Sequence, residues 1–170
     1  MVFNKRQVKM KKALRILLCV LFCVYCLALL KFLFLDGRYC SEDTVWFYYR
    51  QSNLIPFRLV YDYISKLNAD RINPDIVIRN IAGNLVVFFP MGCFLPCMFQ
   101  TCQKFKKVFL ICAGIILTVE LLQPLFRVGF FDIDDFILNL SGACLGFLFV
   151  HLPLVKRLLE KVNLYNQQTY

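Results

Sequence analysis

The chain has 170 residues, enough for one domain, and 59% of them are hydrophobic, with a mean hydropathy of +0.61. Soluble domains contain only about 45–50% apolar residues, so the composition argues against a soluble globular domain. The net charge of +9 would suit a nucleic-acid-binding protein. The basic residues, however, are concentrated beside apolar runs, and we therefore expect no nucleic-acid partner.

Four apolar runs are long enough to cross a membrane, for which about 20 helical residues suffice. Their predicted limits are 13–35, 76–99, 108–126 and 136–155. Residues 1–12 then form a basic amino-terminal segment, residues 13–155 a transmembrane domain and residues 156–170 a tail. The sequence predicts an all-α, polytopic membrane protein with a bundle of four transmembrane helices.

The charges of the connecting segments predict the orientation of the bundle. Basic residues are concentrated before the first run, between the second and third, and after the fourth. They are Lys5, Arg6, Lys9, Lys11, Lys12 and Arg15, then Lys104, Lys106 and Lys107, and finally Lys156, Arg157 and Lys161. Segment 36–75 is balanced, with five basic and six acidic residues. Because basic loops stay inside, we expect both termini in the cytoplasm. No small-x-small cleavage site follows the first run, which favours an anchor over a signal peptide.

The long segment between the first two runs is expected to be external and partly ordered. Residues 46–49 are aromatic, as is common at membrane interfaces. Pro56 suits the first position of a short amphipathic helix that extends to Leu67. Its apolar stripe is predicted to be Phe57, Val60, Ile64 and Leu67. We consider two interpretations of this helix: it lies on the outer leaflet, or it packs over the mouth of the bundle.

Polar residues interrupt the last three runs, where a centrally placed charge costs roughly 2.5–3.5 kcal/mol. They are Arg79, Asn80 and Asn84 in the second run, Glu120 and Gln123 with Arg127 in or just after the third, and Asp135 and Asn139 in the fourth. The predicted orientation brings all three sets to one outer depth, and their helical spacing gives each set one face. Two interpretations stay open: a structural network in which Arg79 or Arg127 neutralises Glu120, and a binding or catalytic cavity.

Small residues and cysteines in the runs are expected to serve packing. Gly142 and Gly146 have the four-residue spacing that lets helices approach closely, and Gly83 and Gly92 suggest the same for the second run. Pro124 is expected to kink or end the third helix. Eight of the nine cysteines lie in or beside apolar runs and behave there as small hydrophobes, whereas Cys40 lies outside them. We expect no metal site and no cofactor.

Four stretches of the chain, in order, resemble the VanZ-like membrane proteins. They are Arg50–Phe57, Arg79–Pro96, Glu120–Arg127 and Asp132–Gly146. The last three are similar to that family's N-x-x-G-N…F-x-P-x-G, E-x-x-Q-x-x-x-R and D-x-D-D-x-x-x-N patterns, and the resemblance covers about residues 30–155. It implies a multi-pass protein of the bacterial cell membrane, and its named member lowers susceptibility to the lipoglycopeptide teicoplanin. It also adds Arg50, Asn53, Asp132 and Asp134 to the candidate ligand-binding residues.

The hypothesis that we rank first is a binding or envelope-modifying module. An outward-facing polar cavity would engage an amphiphile: a membrane lipid, a lipoglycopeptide antibiotic or a lipid-linked peptidoglycan precursor. Arg50, Arg79 and Arg127 suit phosphate or carboxylate groups. Trp46 and Tyr48 suit a sugar or lipid boundary.

Two further hypotheses are an enzyme acting on a lipid or lipid-linked precursor, and a small transporter. In an enzyme, Glu120 and Asp135 are the acid and base candidates, or Asp132, Asp134 and Asp135 hold Mg²⁺. The sequence contains no recognised catalytic motif, and its single histidine is predicted at the far end of the fourth run, so we lean against catalysis. A four-helix transporter would need to oligomerise, and the oligomeric state stays open.

Overall fold

The structure, a computed structural model, describes residues 2–35, 44–162 and 164–165. Within these ranges it is all-α, with one isolated backbone bridge and no strand. The helices are α1 (Val2–Leu30), α2 (Val45–Arg50), α3 (Arg58–Asn68), α4 (Pro74–Met98), α5 (Phe105–Leu125), α6 (Ile133–His151) and α7 (Pro153–Lys161). Four of them, α1, α4, α5 and α6, are long and apolar enough to span a membrane, which confirms the predicted fold class. Cys40 lies outside the described residues.

The ends of the long helices follow from local sequence signals. Asn73 caps α4, its side chain accepting a hydrogen bond from the Asp75 N–H at 2.9 Å, and Pro74 occupies the first helical position. α1 continues as a π-helical turn, Lys31–Leu35. α5 ends one residue after Pro124, in agreement with the prediction.

The fourth run is divided differently from our expectation, because α6 ends at His151 and a separate helix, α7, follows it. Leu152, which precedes Pro153, has the extended conformation (φ −57°, ψ 135°) that a following proline ring imposes. Pro153 then begins α7, where its missing N–H costs nothing. The Leu152-Pro153 pair is the sequence signal for this break.

α4 and α6 form the closest helix pair, and they run parallel to each other. A Cβ atom on Gly142 would collide with the carbonyl oxygen of Leu85, and one on Gly146 with that of Phe89. Gly92 faces the backbone of Ala143 in the same way. The two backbones are therefore in direct contact, as the glycine spacing predicts. The expectation for Gly83 is wrong, since nothing lies within 4 Å of the position that its Cβ would occupy.

The core of the bundle lies between α4, α5 and α6, and α1 packs on its outside. Phe88, Cys112 and Ile116 are fully buried there. α1 contacts α4 through the ring of Phe22, 5.4 Å from that of Phe94, and through Tyr25. The Tyr25 hydroxyl donates to the Val87 carbonyl oxygen at 2.8 Å.

α2 contributes a buried tyrosine to the core rather than a set of interfacial rings. Tyr48 is fully buried and stacks on Phe130 with ring centres 5.3 Å apart. The expectation that Tyr48 forms a lipid or sugar boundary is therefore wrong. Trp46 is 69% exposed and fits that expectation.

α3 begins at Arg58 and not at Pro56, because Phe57 has the left-handed conformation (φ 64°) that interrupts the helix. The apolar stripe of α3 is also rotated about the helix axis relative to the predicted stripe. The half-buried positions are Leu59, Val60, Tyr63 and Leu67, while Phe57, Tyr61 and Ile64 are exposed. α3 thus packs against α6 with one apolar face and presents a second one outward.

Candidate functional site

A backbone bridge joins the loop between α2 and α3 to the start of α6. The Asn53 N–H donates to the Phe131 carbonyl oxygen at 2.8 Å, and the Ile133 N–H donates to the Asn53 carbonyl oxygen at 3.0 Å. These bonds place the Asn53 side chain beside Asp132. Residues 79 positions apart in the chain therefore meet at one end of the bundle.

Four polar side chains converge on this bridge, and we call them the carboxylate network: Asn53, Glu120, Asp132 and Asp134. The Asn53 amide donates to Asp132 Oδ1 at 2.9 Å and to Asp134 Oδ2 at 3.4 Å. Asp132 caps α6, its Oδ1 accepting from the Asp134 N–H at 2.8 Å. Glu120 Oε2, from the end of α5, accepts from the Asp132 N–H at 3.1 Å. The network thus connects α5, α6 and the loop after α2.

Asp134 also caps α3, which lies far from it in the sequence. Its Oδ1 accepts from the Phe57 N–H, and its Oδ2 accepts from the Leu59 N–H at 2.7 Å. The first N–H groups of a helix lack intrahelical partners and attract negative charge. Asp134 is only 2% exposed, and these donors together with the Asn53 amide compensate its burial.

The other predicted amide residues make different contacts. Asn84 donates to Asp135 Oδ1 and so joins α4 to α6. Asn80 bonds within its own helix, to the Ile76 carbonyl oxygen at 2.8 Å, and Gln123 donates to the Leu33 carbonyl oxygen at 3.3 Å. Asn139 is 3% exposed, and its Oδ1 has no hydrogen-bond partner in the described part of the chain. Asn80, Asn84 and Gln123 thus make separate contacts.

The three predicted arginines are exposed and lie at the same end of the bundle as the carboxylate network. Arg50 ends α2, Arg79 is in the second turn of α4, and Arg127 follows α5. Among the described residues, Glu120 is bonded to the Asp132 N–H and to no arginine. The structural hypothesis in which Arg79 or Arg127 neutralises Glu120 is therefore wrong. The three arginine side chains are exposed instead.

Arg127 has a backbone conformation that usually belongs to glycine. Its φ is 61°, at the position where the chain turns away from α5. The Arg127 N–H donates to the Pro124 carbonyl oxygen at 3.1 Å, and the Val128 N–H donates to that of Gln123 at 3.0 Å. This pair of bonds is the Schellman motif that ends many helices. A large residue held in the left-handed region costs about 1–2 kcal/mol, and such strain is common at functional sites.

Exposed apolar side chains border this end of the bundle, and we call them the apolar rim. They are Trp46, Leu54, Ile55, Phe57, Tyr61 and Ile64, each more than half exposed. Single exposed apolar residues are ordinary, but a group of this kind indicates contact with a membrane, a partner or a ligand.

The carboxylates of the network are not arranged as a cation site. In the ranges that the structure describes, no three His, Cys, Asp or Glu side chains are placed to hold a metal ion. Asp132 and Asp134 accept hydrogen bonds from N–H groups, whose positive ends would face a cation. The donor set therefore does not fit the Mg²⁺ arrangement that we considered for Asp132, Asp134 and Asp135.

Sequence analysis found the side chains of the carboxylate network but missed their backbone partners. The N–H groups of Phe57 and Leu59 and the carbonyl of Phe131 carry no residue-type signal. The one recognisable signal is Asp132, which lies two residues before Asp134. Aspartate is favoured at the start of a helix, and Asp132 caps α6.

Comparison with known proteins supports the resemblance. The model of the VanZ/LLP1 family matches residues 22–156, a range that contains the carboxylate network, the three arginines and the apolar rim. One relative, Protein VanZ of Enterococcus faecium, is 29% identical over 100 residues, which cover 55% of this chain and 62% of that protein. The chain thus matches less than two thirds of that relative's length. No solved structure matches the chain. With a family match over most of its length and four membrane-length helices, the chain belongs to the VanZ/LLP1 family of membrane proteins.

Proposed function

We propose that this protein lowers the susceptibility of a bacterial cell to teicoplanin-type lipoglycopeptides by engaging an amphiphilic ligand. The ligand binds at the network end, which is the end of the bundle with the carboxylate network, the three arginines and the apolar rim. This end faces outward from the cytoplasmic membrane, because the basic segments lie at the opposite end. The ligand is the lipoglycopeptide itself or a lipid-linked peptidoglycan precursor.

The observation that carries this proposal is the outward exposure of Arg50, Arg79 and Arg127 beside the apolar rim. Guanidinium groups bind phosphate and carboxylate in a planar, two-point geometry. The apolar rim offers a surface for a lipid tail. An amphiphile with an anionic head and an acyl chain matches both features. The carboxylate network below them holds the loop and α3 in place.

The proposal is tested by expressing the chain in a teicoplanin-susceptible Gram-positive host. The minimal inhibitory concentrations of teicoplanin and vancomycin are measured at matched membrane levels of protein, with an empty vector for reference. We expect the wild-type chain to raise the minimal inhibitory concentration of teicoplanin. The minimal inhibitory concentration of vancomycin should not change, because vancomycin has no lipid tail. Equal teicoplanin values for wild type and empty vector would refute the resistance role.

Arg79→Gln and Arg71→Gln form a matched pair of variants, since both remove one exposed positive charge near the start of α4. Loss of a charge-assisted bond is expected to weaken ligand binding about tenfold for Arg79→Gln. Arg71→Gln should behave as wild type. Binding of fluorescent teicoplanin and of a lipid-linked precursor to nanodiscs that carry each variant identifies the ligand. Equal binding by the two variants would show that the ligand does not use this arginine.

A further inference from the structure

A recess at the opposite end of the bundle is unrelated to the carboxylate network. It has a volume of about 330 Å³ and opens between α1, the end of α4 and the short turn Gln100–Gln103. Its polar lining residues are Arg15, Gln100 and Gln103, and its apolar lining includes Leu18, Met98 and Phe99. The volume is at the lower end of the range for small-molecule sites, roughly 300–1,000 Å³.

The lining combines one cation and two amide side chains with apolar residues. Arg15 is exposed and forms no ion pair with another described residue. Gln100 and Gln103 supply side-chain N–H groups from the turn that follows α4. A phosphate group with an attached acyl chain combines a charged, a polar and an apolar part in the same way.

Specific contacts hold one wall of the recess, formed by Leu164, in place. The neighbouring Tyr165 hydroxyl lies 2.7 Å from His151 Nε2, and His151 Nδ1 lies 2.8 Å from the Phe147 carbonyl oxygen. Because a carbonyl oxygen can only accept, His151 Nδ1 donates to Phe147, and the Tyr165 hydroxyl donates to Nε2. The imidazole also stacks on Phe147 with ring centres 3.9 Å apart. The wall is thus tied to α6.

α7 lies beside this end of the bundle and has the character of an interfacial helix. Leu154 is 72% exposed and Leu158 is 57% exposed, one helical turn apart on the same side. Arg157 and Lys161 are exposed next to them. Apolar residues flanked by cations are typical of helices that lie on anionic lipid surfaces.

We propose that the recess is a binding site for an anionic phospholipid. The lipid phosphate lies against Arg15 and accepts hydrogen bonds from Gln100 and Gln103, while one acyl chain follows Leu18 and Met98. The site is separate from the proposed ligand site at the network end, and neither proposal depends on the other.

The test measures thermal unfolding of the purified full-length chain in a neutral detergent. Three additives are compared: phosphatidylglycerol, phosphatidylcholine and glycerol 3-phosphate. Arg15→Gln removes the cation, and Cys19→Phe fills the recess without a change of charge. Arg71→Gln, at the network end, is the charge-matched control. We expect phosphatidylglycerol alone to raise the unfolding temperature of wild type and Arg71→Gln, and its apparent Kd to rise about fivefold or more for Arg15→Gln.

Three outcomes would overturn the assignment. Equal stabilisation by phosphatidylcholine would show that the headgroup charge is not recognised. Equal stabilisation by glycerol 3-phosphate would show a site for a free phosphate and not for a lipid. A wild-type response from Cys19→Phe would place the lipid elsewhere, and this variant decides the question even if Arg15→Gln does not fold.

Discussion

α1 and α6 are both apolar helices of membrane length, yet they differ greatly in how they join the protein. The apolar part of α1 has the higher mean hydropathy, 2.7 against 1.6, but only 6% of it is buried inside the protein, compared with 39% for α6. In lipid, apolar surface gains little by moving from acyl chains to protein. Hydropathy therefore places a helix in the membrane, while small and polar residues decide which helices pack together.

The contacts of the two helices show this difference. α6 meets α4 at Gly142 and Gly146, where backbone touches backbone, and its first turn supplies Asp134 to α3. α1 contacts α4 through aromatic side chains and through the hydrogen bond from the Tyr25 hydroxyl to the Val87 carbonyl oxygen. Substitutions at these positions should therefore have very unequal effects.

The largest effect is expected for Gly92→Ala, because the new methyl group would overlap the Ala143 carbonyl and force α4 and α6 apart. We expect a loss of about 3 kcal/mol or more in the free energy of unfolding. Gly83→Ala is the matched control in the same helix; it has open space and should stabilise by about 0.5–1 kcal/mol. Thermal unfolding in detergent measures both variants. Similar effects of the two variants would contradict the close pairing of α4 with α6.

Asp134→Ala should have the next largest effect, about 2–3 kcal/mol, because it leaves the N–H groups of Phe57 and Leu59 without their acceptor and removes the weaker of the two acceptors of the Asn53 amide. The damage should be local. Hydrogen exchange is expected to accelerate in α3 and in the loop at Asn53 but not in α1. Asp62→Ala, which removes an exposed carboxylate from α3, is the control. Unchanged exchange in α3 would show that Asp134 does not anchor it.

Tyr25→Phe tests the weaker attachment of α1 and should cost about 1 kcal/mol, the usual value of one hydrogen bond. The ring stays against Phe94, so the aromatic contact is preserved. Thermal unfolding of the two chains gives the difference. A loss as large as that of Gly92→Ala would mean that α1 belongs to the core as firmly as α6 does.

The smallest change in stability is expected for Arg127→Gly, and it is a gain, whereas the three preceding substitutions at contact residues cause a loss. Glycine accepts the left-handed conformation at no steric cost, so we expect a gain of about 0.5 kcal/mol or slightly more. If Arg127 serves the proposed ligand, the more stable variant should protect cells less against teicoplanin. If cells that carry Arg127→Gly are as well protected against teicoplanin as cells with the wild-type chain, Arg127 has no part in ligand binding.

The sequence was sufficient for the four spans and for the side chains of the carboxylate network. Length and hydropathy define a span, and a polar residue inside an apolar run is conspicuous, which is why Glu120 was recognisable. The resemblance to the VanZ-like proteins added Asn53, Asp132 and Asp134. A close helix contact at Gly142 and Gly146 was also predictable, because their four-residue spacing is visible in the sequence.

The rest depended on contacts between distant segments, which no local pattern contains. Asp134 caps a helix that begins 76 positions earlier in the chain, at Arg58, and it accepts from the N–H of Phe57, whose left-handed conformation separates α3 from Pro56. The burial of Tyr48 depends on Phe130, which reaches it only because the loop after α5 folds back. Arg127 was predicted on the face of Glu120, but the turn after Pro124 directs it outward.

The parallel pairing of α4 with α6 has a consequence for the biogenesis of the protein. The ribosome completes α4 and then all of α5 before Gly142 and Gly146 emerge. Until that moment the surface of α4 that α6 will cover, at Leu85, Phe89 and Gly92, stays without that partner in the bilayer. The partner with the deepest contacts is the last of the four spans to be made, so maturation of the bundle is a late event. Quality-control proteases of the membrane would therefore meet a loosely joined α1, α4 and α5 until α6 is made.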